Sequence, residues 1–162
     1  SKWSNQIGPT ETGVPRIGLC WSGAARPDNH GAYIIDRRRS MSQSEAANIM
    51  SALPEANWFN LVREWGLPGT IDFGSKVKDF EDQAALISQL DVVVTVDTAI
   101  AHLAGGMGKK VFMLSRYDAC WRWWPYSRET RWYDNMEIFY QHKFMDWSKA
   151  IQSVKDELQR YF

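Results

Sequence analysis

The stretch DVVVTVDTAIAHLAGGMGKKVFML, residues 91–114, decides the fold of this chain. Val92–Val96 is a short and almost wholly apolar run, which is typical of a strand buried on both faces of a sheet. Asp97 and Thr98 favour the start of a helix, because both side chains can accept hydrogen bonds from the first helical N–H groups. The glycines that follow predict the end of that helix, and Val111–Leu114 predicts a second buried strand. The apolar stripe predicted for the helix consists of Ile100, Leu103, Ala104 and Met107.

A strand, a helix and a strand in this order form a parallel crossover unit, whose strand-to-helix turn predicts an anion site. The N–H groups of such a turn lack partners in the helix, and the helix dipole favours a negative charge there. His102 lies on the same side of the predicted helix as Thr98 and Gly105, opposite the apolar stripe. Two interpretations of His102 stay open: an exposed histidine on a solvated face, or a donor to a bound phosphate or sugar hydroxyl.

The composition predicts one domain with a substantial core, because the chain has 162 residues of which 44% are hydrophobic. Basic and acidic residues balance at 19 each, which argues against disorder and against a general surface for polyanions. No apolar run approaches the roughly 20 residues that span a bilayer, and no signal peptide is visible. Cys20 and Cys120 form neither a disulfide framework nor a metal-binding spacing. We therefore expect a cytoplasmic protein.

Residues 1–15 have no hydrophobic period and contain two glycines and two prolines, which is typical of a linker. We expect a linker over 1–15, a domain over 16–162 and a longer parent chain. The domain begins with a predicted strand, Arg16–Trp21, which ends at Ser22 and Gly23.

A long polar loop is predicted from there to Ser40, and loops of this length in compact domains are typically functional or disordered. It contains Arg26, His30 and the basic run 37–39. Basic runs are usually solvated, but this loop leaves the carboxyl end of a buried strand, where open parallel sheets bind ligands. We therefore expect at least one arginine to contact a phosphate, with Arg39 closest to the next helix.

The remaining elements alternate between helices and strands, which predicts an α/β fold with five or six strands and about four helices. A capping box of Ser42 and Glu45 opens one helix, and Asp79 opens another. Phe80, Ala84, Ile87 and Leu90 are predicted to face the core from this second helix. Strands are predicted over 58–62, around 70–73 and over 136–140. A terminal helix is predicted to begin at Asp146. Its inward-facing residues are Trp147, Ile151, Val154 and Leu158.

Residues 115–133 interleave aromatic residues with arginines. Such a pattern can stack nucleobases, but it can equally pack tryptophans against arginines on a domain face. No repeat or RNA-binding signature accompanies it, so we expect no nucleic-acid interface. Packing is the favoured interpretation for most of these tryptophans, with Trp121 and Arg122 excepted because they lie nearest the end of the preceding strand.

With these residues placed, the chain resembles the C-terminal half of glycosyltransferase family 9, which contains heptosyltransferases and relatives fused to tetratricopeptide repeats. Residues 96–105, with the sequence VDTAIAHLAG, carry the specific part of the resemblance. Residues 118–123 and 132–133 match the repeat-fused relatives better than the heptosyltransferases. The other supporting segments are 17–23, 39–41 and 82–90.

The resemblance implies a Rossmann-like parallel sheet with helices on both faces, as the donor-binding half of a two-domain GT-B enzyme. It implies that the backbone amides of Thr98 and Ala99 bind the diphosphate of a sugar nucleotide, although the heptosyltransferases usually have glycine at the second position. Asp97 and His102 are expected to contact the donor sugar or phosphates. Arg39, or Arg38, is expected to neutralise the diphosphate. Further candidate donor contacts are Ser22 and Gly23 at the phosphates, and Glu64, Asp118, Trp121 and Arg122 at the sugar or base.

The implied function is glycosyl transfer from a nucleotide-sugar donor, heptose-like in the nearest relatives, to a glycan such as the lipopolysaccharide core or to another acceptor. The general base of such enzymes lies in the N-terminal domain, so we expect this chain alone to bind donor without turnover. No metal or cofactor is expected, because the helix dipole and basic residues can stabilise the leaving diphosphate. Two alternatives stay open: a degenerate domain used for protein interaction, and a sugar-nucleotide epimerase of the same layout. The expected partners are the missing N-terminal domain, tetratricopeptide repeats and, in the full enzyme, a membrane surface.

Overall fold

The computed structural model describes residues 7–8, 13–24, 26–123 and 126–162. Most of the predicted linker 1–15 therefore lies outside the described residues, as do Ala25 of the predicted loop and residues 124–125 of the aromatic stretch. Ile7 packs against the core, and the carbonyl oxygen of Gly8 accepts a hydrogen bond from Arg16 Nη2 at 3.0 Å.

Six parallel strands form one sheet in the order β3-β2-β1-β4-β5-β6. The predicted α/β, Rossmann-like fold is confirmed. The order runs outward in both directions from the central pair β1 and β4, whose register sets Cys20 opposite Thr95. The strands are β1 (Arg16–Cys20), β2 (Asn57–Asn60), β3 (Ile71–Asp72), β4 (Val92–Val96), β5 (Lys110–Ser115) and β6 (Met136–Tyr140).

Helices cover both faces of the sheet, which explains why every residue of β1 and β4 is buried. The described part of the chain forms five α-helices: α1 (His30–Arg39), α2 (Gln43–Met50), α3 (Phe80–Ser88), α4 (Ala99–Gly106) and α5 (Ser148–Tyr161). Helices α2 and α5 pack together on one face, while α3 and α4 are neighbours on the other. No helix among the described residues is long and apolar enough to cross a membrane.

Side-chain caps fix the starts of α2, α3 and α4, as the sequence predicts. Ser42 and Glu45 form the complete capping box of α2. Asp79 accepts from the N–H of Asp82 at the start of α3, and Thr98 accepts from the N–H of Ile100 at the start of α4. The terminal helix α5 buries its four predicted inward residues, with Trp147 immediately before its first turn.

The prediction of a loop from Gly23 to Ser40 was wrong over its second half, because residues 30–39 form α1. Asn29 caps this helix by accepting from the N–H of Ala32, and the three arginines of its last turn interact favourably with the helix dipole. Asp36 is its one buried residue. A helix with so little apolar surface has no hydrophobic period for the sequence to reveal.

Two predicted helix faces were also wrong in part. Phe80 is 66% exposed rather than in the core, and α3 instead buries Gln83, Leu86 and Ile87. Helix α4 buries its small residues, whereas Met107 of the predicted stripe is exposed. A small-residue face lets α4 approach its neighbours closely, so the largest side chains do not mark the buried side. The buried residues of α4 are Ala101, Ala104 and Gly105.

Candidate functional site

A cleft of about 790 Å³ opens at the carboxyl ends of the central strands. It lies where the strand order reverses between β1 and β4, which is the position at which open α/β sheets bind ligands. Segments that follow β1, β2 and β4 line it together with α3. The lining residues are Cys20, Ser22, Gly23, Ala24, Arg26, Arg39, Leu61, Val62, Arg63, Glu64, Ser75, Val77, Lys78, Asp79, Phe80, Gln83, Thr98, Ala99 and Ile100.

The turn between β4 and α4 presents its backbone to this cleft. The Thr98 side chain points back into the protein, with its Oγ1 3.3 Å from Thr95 Oγ1 and 3.7 Å from Cys20 Sγ. Ala99, at the first position of α4, is exposed and lines the cleft. The N–H groups of this first turn carry the positive end of the helix dipole.

The guanidinium of Arg39 is held in a fixed orientation beside this turn. Its Nη1 donates to the carbonyl oxygen of Asp97 at 2.9 Å, and its Nη2 donates to the Asp36 carboxylate. Asp36 lies one turn earlier on α1 and its side chain is only 7% exposed. The hydrogen bond to Asp97 joins α1 to the end of β4, and the ion pair with Asp36 neutralises part of the charge that a bound anion would need.

Gly23 lets the chain pass close to that guanidinium. A Cβ atom at this position would lie 2.6 Å from Arg39 Nε and 2.7 Å from Nη2, closer than non-bonded atoms approach. The Gly23 N–H donates to Ser40 Oγ at 3.0 Å, and Ser22 Oγ donates to the same oxygen at 3.3 Å. Ser22 and Gly23, which the sequence predicted as site residues, therefore pack against the end of α1 next to Arg39.

The charges along the cleft are mainly positive. Arg26, Arg63 and Lys78 are exposed on its rim in addition to the partly buried Arg39. Glu64 and Asp79 are the acidic lining residues, and Asp79 is occupied as the cap of α3. The sequence pointed to Arg39 but not to Arg63 or Lys78. Arg63 lies in the segment after β2 and Lys78 lies just before the cap of α3, and these positions are the signal that could have found them.

Cys20 lies at the bottom of the cleft with 3% of its surface exposed. Burial raises the pKa of its thiol, and hydrogen bonds with Thr98 and Thr95 and the charge of Arg39 oppose that rise only in part. The thiol is therefore neutral at physiological pH, and it acts as a small apolar residue rather than as a nucleophile.

His102 is packed against aromatic side chains and is not among the residues that line the cleft. Its ring stacks on Trp123 with the centroids 5.4 Å apart, and its Nδ1 lies 3.0 Å from the hydroxyl of Tyr133. Neither interpretation from the sequence describes this environment, because Trp123 and Tyr133 belong to the aromatic stretch far away in the chain. The expected donor contact of His102 stays a prediction.

The remaining predicted contacts lie outside the cleft lining. Arg38 forms an ion pair with Asp118 at 2.9 Å, and Arg116 approaches the same carboxylate oxygen at 3.5 Å. Trp121 is 72% exposed, and the Arg122 guanidinium lies 5.4 Å from the centre of its ring. Six of the predicted site residues line the cleft together: Ser22, Gly23, Arg39, Glu64, Thr98 and Ala99. The backbone of Asp97 lies beside them, where it accepts a hydrogen bond from Arg39. Five predicted residues are not part of the cleft lining: Arg38, His102, Asp118, Trp121 and Arg122.

Comparison with known proteins identifies one matching family. Residues 78–148, which run from the start of α3 to the start of α5, match the family model of glycosyltransferase family 9 (heptosyltransferase). No curated protein matches the chain. The resemblance to this family is confirmed over the matched residues. The match supports the interpretation of the chain as part of a glycosyltransferase. The all-parallel sheet is consistent with the GT-B fold.

Proposed function

From the match to glycosyltransferase family 9, we propose that this chain binds the diphosphate of a nucleotide sugar in the cleft between β1 and β4. It would serve as the donor-binding half of an enzyme that transfers a glycosyl group. The observation that carries the proposal is the convergence of two helix N-termini, those of α3 and α4, on a cleft with four cationic side chains. A diphosphate offers two linked anionic groups to such a set of donors.

In the proposed reaction, the bond between the sugar and the diphosphate breaks and negative charge grows on the diphosphate. The N–H groups at the start of α4 would hold this charge, and the fixed guanidinium of Arg39 would orient it. Arg26, Arg63 and Lys78 on the rim would balance the charge that the Asp36 carboxylate takes from Arg39. The acceptor and its activating base would come from the N-terminal domain of the full enzyme.

Isothermal titration calorimetry with inorganic pyrophosphate and with nucleoside diphosphates tests the proposal. Binding in the micromolar to millimolar range is expected. Replacing Arg63 or Lys78 by alanine should weaken it roughly tenfold, because each removes a charge-assisted hydrogen bond worth about 1.5–3 kcal/mol. Arg160→Ala is the matched control, since this side chain is 70% exposed and lies on α5 outside the cleft lining.

Thr98→Pro tests the turn itself, because the proline ring removes an N–H group from the proposed anion site. A circular dichroism spectrum must first show that the variant is folded. Undiminished pyrophosphate affinity in folded Thr98→Pro would contradict the assignment of this turn. Absence of any binding to the parent chain would instead favour a non-catalytic domain used for protein interaction.

A further inference from the structure

The lining of the cleft mixes apolar side chains with polar and charged ones. The turn after β4 supplies the N–H groups of the proposed diphosphate site. Around β2 and the start of α3, apolar side chains lie between the charged residues Arg63, Glu64, Lys78 and Asp79. The apolar lining residues are Leu61, Val62, Val77, Phe80 and Ile100.

Phe80 is the aromatic residue of the cleft lining. It occupies the first position of α3, and its side chain is 66% exposed although it borders the cleft. The core-facing side of the same helix is already provided by Leu86 and Ile87. The exposed ring presents a face on which a planar ring can stack.

Gln83 lies one helical turn after Phe80 and borders the same cleft. It is 4% exposed, and its amide nitrogen has no hydrogen-bond partner within the described part of the chain. A buried polar atom without a partner is unfavourable, so its presence beside a cleft points to a ligand atom that accepts a hydrogen bond there.

We infer that α3 reads the nucleobase of the donor, with Phe80 stacking on the face of the base and Gln83 donating to an acceptor atom on its edge. The inference rests on the proposed function, since it places the base of the same nucleotide whose diphosphate binds at α4. A heterocyclic base combines a planar face with edge acceptors, which a sugar ring and a phosphate do not. Phe80 and Gln83 are then specificity-determining residues for the donor.

Calorimetric titration with adenosine diphosphate, uridine diphosphate and inorganic pyrophosphate tests this inference. At least one nucleoside diphosphate should bind five times or more tighter than pyrophosphate. Phe80→Ala should weaken the binding of that nucleoside diphosphate by roughly fivefold to a hundredfold, which is the range of base–aromatic stacking. The affinity for pyrophosphate should stay unchanged. Phe80→Trp should restore the affinity. Phe162→Ala is the matched control, because this phenylalanine is 47% exposed and does not border the cleft.

Gln83→Leu separates recognition from a structural role. It replaces the unpartnered amide nitrogen by an apolar group in a side chain of similar size, so it should raise the Tm of the ligand-free protein by about 2–4 °C. The same variant should lower the affinity for the nucleoside diphosphate roughly threefold to tenfold, while the affinity for pyrophosphate stays unchanged. A purely structural glutamine would not move stability and affinity in opposite directions.

The results distinguish the inference from the proposed function. If pyrophosphate binds and both variants leave the affinity for every nucleoside diphosphate within a factor of two, the base-reading role of α3 is refuted while the diphosphate site stands. If neither pyrophosphate nor any nucleoside diphosphate binds the parent chain, both proposals are refuted. If Phe80→Ala lowers the affinity for pyrophosphate as much as the affinity for the nucleoside diphosphates, the ring shapes the cleft and does not bind a base.

Discussion

Gly23→Ala is expected to lower both the free energy of unfolding and the affinity for pyrophosphate, because the new methyl group would enter the space of the Arg39 guanidinium. The added Cβ atom would lie 2.6 Å from Arg39 Nε and 2.9 Å from Cζ. The guanidinium cannot withdraw freely, since it donates to the Asp97 carbonyl oxygen and to the buried Asp36 carboxylate.

The expected loss in the free energy of unfolding follows from the contacts that the new methyl group would disturb. Overpacking a tight site costs about 1–3 kcal/mol, and a lost hydrogen bond to a charged group costs about 1.5–3 kcal/mol. Because part of the strain relaxes, we expect a loss of about 2 kcal/mol, which for a domain of this length corresponds to roughly 4–8 °C in Tm. A displaced guanidinium should also weaken pyrophosphate binding roughly tenfold.

Urea unfolding followed by tryptophan fluorescence measures the effect, since the chain contains nine tryptophans. The midpoint should fall while the dependence of the free energy on urea stays constant. Gly106→Ala is the matched control: a Cβ there meets nothing within 4 Å, and alanine should stabilise the end of α4 by about 0.5–1 kcal/mol.

A mutant cycle identifies the source of the strain. In a background with Asp36→Asn and Arg39→Met, both charges are removed together, so no buried charge is left unpaired. Gly23→Ala should be much less costly in that background than in the parent, because a methionine side chain can move aside. An equal cost in both backgrounds would refute the proposed contact with the guanidinium.

Two further predictions concern contacts away from the cleft. Hydrogen bonds from Lys110 and Arg128 lower the pKa of the Glu137 carboxyl, although partial burial opposes this. A lowered pKa in the folded state adds stability above the ordinary carboxyl pKa that is lost as the pH falls through the folded value. Glu137→Gln should therefore flatten the acid limb of a plot of Tm against pH, and an unchanged slope would contradict the ion pairs. Gly105→Ala would place a Cβ 2.7 Å from the ring of Tyr133, so thermal unfolding should show a loss of about 1–3 kcal/mol, and a neutral result would show that the ring is free to move.

The sequence predicted the central crossover unit well, because its signals are local. A continuous apolar run, a capping residue and a glycine-rich helix end identify β4, α4 and β5 without knowledge of the rest of the chain. Residues 136–140 were likewise predicted and form β6 with these bounds. The apolar residues Met136, Ile138 and Phe139 of this strand are buried, so its local apolar composition was a sufficient signal.

Features that depend on distant residues could not be predicted in the same way. The polar helix α1 is held by Asn29 at its start and by the pairing of Asp36 with Arg39, and none of these produces a hydrophobic period. The position of His102 depends on Trp123 and Tyr133, which the fold brings together from the aromatic stretch. Phe80 was assigned to the core because helical spacing cannot distinguish a core face from the wall of a cleft.

The strand order has a consequence for how the domain forms during synthesis. β1 is made first among the strands of the sheet, yet it lies in the middle and pairs with both β2 and β4. Until residues 92–96 emerge from the ribosome, one side of β1 offers a row of unpaired N–H and C=O groups, which is the kind of edge that associates with other chains. Closing that edge and creating the cleft are the same event, so a nascent chain that stops before β4 lacks both a protected sheet and a binding site.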